Sequence, residues 1–152
     1  MASDISIDQI KELRDATGLS VADIKKALSE AGGDVTKARE LLASRGGDIA
    51  AKKAGRELKA GLVDAYIHTT KQSGCMLELR CETDFVSRGE GFAELAHDLS
   101  LHITAMKPQN LEELMEQPFI KNPDQTIRDL LASHIAKLGE NIQVSRFEVF
   151  EI

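Results

Sequence analysis

CMLELRCETDFVSRGEGFAELAHDLSLHITAM (residues 75–106) changes its hydrophobic period once, and the fold turns on that change. From Cys75 to Glu82 the residues alternate. Cys75, Leu77, Leu79 and Cys81 share one face and Met76, Glu78, Arg80 and Glu82 the other, which predicts a strand. From Arg88 onward Phe92, Leu95, Ala96, Leu99, Ile103 and Met106 recur at helical spacing. Ser87-Arg88-Gly89-Glu90 has the S-x-x-E pattern of a capping box, so the spacing predicts a helix beginning at Arg88. Thr83-Asp84-Phe85-Val86 lies at the corner between the two elements. Phe85 has two readings there. It folds back beneath its own helix as core, the usual fate of a Phe, or it stands on a rigid corner and fills a partner's pocket at little entropic cost.

Upstream, Gly61 to Thr70 alternates as well, with Val63, Ala65 and Ile67 on one face and Leu62, Asp64, Tyr66 and His68 on the other. Lys71-Gln72-Ser73-Gly74 joins it to the Cys75 strand as a β-hairpin. Residues 4–46 read as three short helices. Ile7, Ile10 and Leu13 stripe the first, which stops at Thr17-Gly18. Ser20 caps the second, with Val21, Ile24, Ala27, Leu28 and Ala31 as its stripe. Asp34 caps the third, which carries Val35, Ala38, Leu41 and Leu42 and closes at Arg45-Gly46-Gly47. The charged, Ala-rich run DIAAKKAGRELK (48–59) reads as a helical linker.

Downstream come a short helix (Leu111, Leu114, Met115) and a loop around Pro118 and Pro123. A helix opened by Asp124 follows, with Ile127, Leu130, Leu131, Ile135 and Leu138 inside and Gly139 at its end. His102 reads as a boundary histidine of the long helix. In the last strand, Ile142 to Ile152, Ile142 and Val144 share a parity that Phe147 and Val149 do not, and Phe150 and Ile152 return to the first. Either a bulge near Ser145-Arg146 flips the phase or both faces are buried. The expected fold is α+β: a three-helix domain (1–47), a helical linker (48–60), and a core (61–152) of a three-stranded antiparallel sheet with helices packed on one face.

Composition narrows the function. Of 152 residues, 42% are hydrophobic and 29% charged, a globular profile. No apolar run is long enough to cross a bilayer. MASDISIDQI lacks the basic and apolar regions of a secretory signal, so a cytoplasmic location is expected. Residues 1–60 carry 11 Lys or Arg against 10 Asp or Glu, and the remainder 8 against 15. That acidic second half argues against nucleic acid as a ligand. The basic cluster Lys52, Lys53, Arg56 and Lys59 has no interleaved aromatics to stack bases and reads as a solvated face. Cys75 and Cys81 share a strand face roughly 20 Å apart, beyond disulfide reach. The four histidines do not combine with Cys or acids at zinc-ligand spacings, and no cofactor is expected. No nucleophile elbow, phosphate loop or dinucleotide-binding glycine set is present, so an enzyme is not the expectation.

Five blocks carry a family resemblance: TG (17–18), KKAL (25–28), AAKKAG (50–55), TDFV after CE (81–86), and LGENI (138–142). In this order the chain resembles translation elongation factor Ts across nearly its whole length. The resemblance implies a ubiquitin-associated-like fold for the three helices. It also implies guanine-nucleotide exchange on elongation factor Tu, by binding that disturbs the partner's Mg²⁺ and phosphate site and involves no covalent chemistry. Carried over position by position, it makes Thr83, Asp84, Phe85 and Val86 the element that dislocates the partner's Mg²⁺, with Phe85 as a wedge. Asp84 would hold the corner or meet polar groups of the partner. Lys11, Arg14, Val21 and Ala22, with Lys53 in the linker, would dock the N-terminal module. An adaptor built on the helical module alone is the alternative, and it leaves the TDFV corner unexplained.

The chain departs from the family pattern in three places. Val21-Ala22 stands where the family usually has two Met. There is one sheet-and-helix core where many members have two. The segment between Met106 and Glu116 is short. With one core copy, and with Leu62, Tyr66 and Met76 read as apolar residues opposite the hairpin's own core, a homodimer through the sheet face is expected.

Overall fold

The computed structural model describes residues 4–152; Met1 to Ser3, the start of the expected first domain, lie outside the described residues. Helix α1 (Ile7–Thr17) opens with a capping box between Ser6 and Gln9 and ends at Gly18, whose φ of 67° is the left-handed conformation that a glycine adopts without strain. Helix α2 (Val21–Glu30) is capped by Ser20 and α3 (Val35–Lys53) by Asp34, as the sequence predicts. Leu13, Ile24, Ala27, Leu28, Ala38 and Leu42 form their shared core. Ile7 stands outside it and is 82% exposed.

The expected stop at Gly46-Gly47 is not used. Helix α3 runs 19 residues straight through both glycines and takes in the first part of the linker, to Lys53. Tertiary packing overrides a propensity penalty of about 1 kcal/mol per glycine. Gly46 is buried against the backbone of α7 (Ile127–Leu138), and Ile49 and Ala50 on the next turn pack against the larger core.

That larger core lies under one sheet. Strands β1 (Ala60–Ile67), β2 (Ser73–Cys81) and β5 (Ile142–Glu151) are antiparallel in the order β1-β2-β5. Helix α5 (Glu90–Met106) lies across β1 and β2, and α7 lies against β5. Cys75, Leu77, Leu79 and Cys81 face these helices and bury completely or nearly so. The register puts Leu62, Asp64 and Tyr66 opposite Leu79, Leu77 and Cys75. Leu62 and Tyr66 are therefore on the helix-covered face, not on the open one as expected, because directly paired residues share a face.

The bulge near Ser145 is present. Leu79 pairs with Val144 and Glu78 with Arg146, so Ser145 is the extra residue. Beyond it Phe147 and Val149 turn toward the helices, opposite Leu77 and Cys75. Phe150 and Ile152 stay outside.

Two helix starts move. The capping box at Ser87 does not form; α5 begins at Glu90 with Gly89 as an N-cap that has no side-chain bond, and Ser87 Oγ instead donates to the Asp84 carbonyl at 3.2 Å. Helix α7 begins after Thr126, which makes a full capping box with Asp129, rather than at Asp124. Between α6 (Leu111–Glu116) and α7, the expected loop is a small hairpin of β3 (Pro118–Phe119) and β4 (Asn122–Thr126). His102 pins this hairpin down and is wholly buried rather than at a boundary. Its Nδ1 accepts from the Ile120 N–H at 3.1 Å and its Nε2 lies 3.0 Å from Gln117 Oε1, a pattern that needs the neutral Nε2–H tautomer. Burial holds its pKa below the ordinary value. Among the described residues no helix is long and apolar enough to cross a membrane.

Candidate partner-binding corner

Strand β2 ends at Cys81, paired with Ile142 at the start of β5. The chain then passes through Thr83, in extended conformation, into a single helical turn, α4 (Asp84–Ser87). Phe85 and Val86 are adjacent on that turn and so point about 100° apart. On this turn only one of them faces inward. Val86 does and is 8% exposed; Phe85 is 86% exposed. Leaving a Phe in water forgoes roughly 1.5–3 kcal/mol of burial energy. The core reading of Phe85 is thus excluded. Beside it lies an open depression lined by Val86, Arg88, Gly89, Phe92, Lys137 and Leu138.

Asp84 does not hold the corner. Its carboxylate is largely exposed and makes only a loose ion pair with Arg88 at 3.4 Å. The corner is held by Glu140, from the turn between α7 and β5. Glu140 Oε1 accepts the N–H groups of Glu82 (3.1 Å) and Thr83 (2.9 Å), and Oε2 accepts the Thr83 hydroxyl at 2.6 Å. In return, the Asn141 N–H donates to Glu82 Oε1 at 2.8 Å. Sequence reasoning missed Glu140, Asn141 and Glu82 as working residues. The signal was present, since CE and LGENI supply two carboxylates and an amide, but nothing in the spacing says that they meet.

The docking residues fall in two groups. Lys11, Arg14 and Ala22 are exposed on α1 and α2, and Val21 is half-buried at the start of α2. Lys53 is engaged inside the molecule: its ammonium donates to the Gly139 carbonyl at 2.9 Å, at the C-terminal end of α7 where a cation is favoured. The α1–α2 turn rests on the same helix. A Cβ at Gly18 would lie 2.8 Å from Lys137 Cδ, so this turn and the Phe85 depression share the stem of Lys137. Arg14 and Lys137 also border a cleft between the N-terminal helices and α7. His134, on its wall, has its pKa lowered mainly by burial.

Both cysteines are free and buried, and burial raises both thiol pKa values, which makes them poor nucleophiles at neutral pH. Among the described residues no group of three or more His, Cys, Asp or Glu is placed to hold a metal ion.

Comparison with known proteins meets this geometry. Residues 82–152, which begin at the corner and include Glu140, match the family model described as Elongation factor TS. The protein named Elongation factor Ts from Carboxydothermus hydrogenoformans is 39% identical, with 97% of this chain and 89% of the relative aligned. Its namesake from Thermodesulfovibrio yellowstonii is 37% identical over 97% of this chain and 96% of its own. That from Fervidobacterium nodosum is 39% identical over 98% of both. The alignments run to 193, 192 and 194 positions, more than the 152 residues here, so these relatives carry residues with no counterpart in this chain. Identity at this level over nearly the full length of both partners leaves one conclusion: the chain belongs to the elongation factor Ts family, proteins of translation elongation.

Proposed function

We propose that this protein is a guanine-nucleotide exchange factor for elongation factor Tu, acting in the cytoplasm without covalent chemistry. The observation that carries this reading is Phe85, 86% exposed on a corner that its own chain holds rigid. A preorganised aromatic anchor gives a partner a hot-spot contact without an ordering penalty. Phe85 inserts into an apolar pocket of Tu near its Mg²⁺ site, with Thr83, Asp84 and Val86 shaping the approach. The nucleotide-free partner accepts the wedge better than the GDP-bound one. By linkage, the protein weakens GDP by the factor with which GDP weakens the protein. The three N-terminal helices, a ubiquitin-associated-like module, dock through Lys11, Arg14, Val21 and Ala22. Lys53 serves this docking by fixing the end of α3.

The test is release of labelled GDP from Tu with and without this protein. Acceleration that saturates with protein concentration supports exchange, and an unchanged rate at saturation rejects it.

The open sheet face suggests a homodimer. Val63, Ile67, Met76, Phe150 and Ile152 are each more than half exposed, and Val63, Ile67, Met76 and Phe150 lie on the face that the helices leave uncovered. Two-fold pairing of sheet on sheet would bury this patch on both subunits. Light scattering at micromolar concentration decides: a mass of one chain, unchanged on concentrating, ends the idea.

A further inference from the structure

We infer that Glu140 is a positioning residue for Phe85, and that with Gly139 and Asn141 it ties the wedge to the end of the docking helix α3. This inference rests on the exchange reading above. Helix α4 has four residues and its N-cap, Thr83, makes no side-chain capping bond. One turn of helix does not hold its shape by its own hydrogen bonds. Glu140 supplies from a distant part of the chain what the local sequence lacks. Its carboxylate accepts three bonds of 3.1, 2.9 and 2.6 Å from Glu82 and Thr83, and bonds to a charged acceptor are the strong kind. It sits just past the Cys81–Ile142 pair, so the sheet ladder continues into the corner as side-chain bonds.

Its two neighbours, Gly139 and Asn141, hold the end of α3. Lys53 Nζ donates to the Gly139 carbonyl at 2.9 Å. Asn141, only 1% exposed, donates from Nδ2 to the carbonyls of Arg56 (2.9 Å) and Ala54 (3.4 Å). Arg56 in turn lies 3.6 Å from Glu82 Oε1. Thus the end of α3, the C-terminal end of α7 and the Phe85 corner meet on Gly139-Glu140-Asn141. A load on the docking helices reaches the wedge through hydrogen bonds rather than through a flexible linker.

The test uses the full chain with Glu140→Ala, Glu140→Gln, Thr83→Val and Phe85→Ala. Release of labelled GDP from Tu is followed over a concentration series, and amide exchange at Thr83 is followed in the free protein. We expect Glu140→Ala, which loses all three bonds, to lower the maximal release rate by about ten- to a hundredfold, the scale of a misplaced reacting group, and Thr83→Val, which loses only the hydroxyl bond, to lower it by a smaller but measurable factor. Glu140→Gln should recover most of the rate, since an amide oxygen still accepts the two N–H bonds. Thr83 amide exchange should quicken at least about tenfold in Glu140→Ala, as a freed amide requires. If Glu140→Ala unfolds by circular dichroism, Thr83→Val decides alone. Wild-type release in Glu140→Ala or Thr83→Val, with Phe85→Ala impaired, overturns the positioning role. Wild-type release in Phe85→Ala instead overturns the wedge reading, and unchanged Thr83 exchange in Glu140→Ala would then overturn the positioning role separately.

Discussion

Among the described residues, six buried apolar side chains hold the N-terminal helices together, and two of the six are alanines; eighteen hold the core beneath the sheet. The smaller cluster gains stability by continuing α3 past its own module and seating it on α7. The larger one has enough burial to leave Phe85 in solvent. The contrast is instructive. A small module is stabilised by a shared helix, whereas a large core can present an unburied side chain on a fixed corner. On the proposed reading, docking and displacement fall to different regions, joined by the bonds at Gly139-Glu140-Asn141.

Removing a core residue from the weaker region tests the contrast most severely. Leu13→Ala should destabilise the N-terminal helices by about 2–5 kcal/mol. Calorimetry should show their transition separating below that of the sheet core, with the maximal GDP release rate kept and the half-saturating concentration raised. A single transition, lowered as a whole, would mean that the two regions fold as one unit.

Phe85→Ala probes the other region. It should remove roughly 2–4 kcal/mol of partner affinity while shifting stability by less than about 0.5 kcal/mol, as for an exposed residue. A large drop in melting temperature would place Phe85 in the core after all.

Acid should act on the sheet core through His102. Its folded pKa is depressed by burial, so on acidification the unfolded chain takes up the proton first. Stability is fully present above the unfolded value of about 6.5 and falls as pH drops from there toward the folded pKa. His134 acts in the same direction. Melting temperatures from about pH 8 to pH 5 should fall less steeply in His102→Gln than in wild type, although the variant starts lower.

The smallest effect returns to α3. Gly47 is helical and exposed, and a Cβ there would meet nothing within 4 Å. Gly47→Ala should stabilise by about 0.5–1 kcal/mol. Destabilisation would show that the glycines are a real break between the two regions.

The sequence by itself determined the family and most of the local elements, but not the β3–β4 hairpin or the starts of α5 and α7. Alternation marked the three strands, Ser20 and Asp34 marked two helix starts, and the TDFV and LGENI blocks marked the kinship. These are short-range patterns, set by side-chain periodicity and by caps within four residues. Only the tertiary structure decided the rest. Whether Gly46-Gly47 stops α3 depended on α7, whose Ala132 meets Gly46 from far along the chain. Which face of β1 meets the helices depended on its register with β2, and the direction of Phe147 depended on one extra residue at Ser145. The rigid corner under Phe85 depended on Glu140, more than fifty residues away in sequence. Each of these is settled by a contact between distant segments, and no local periodicity encodes such a contact.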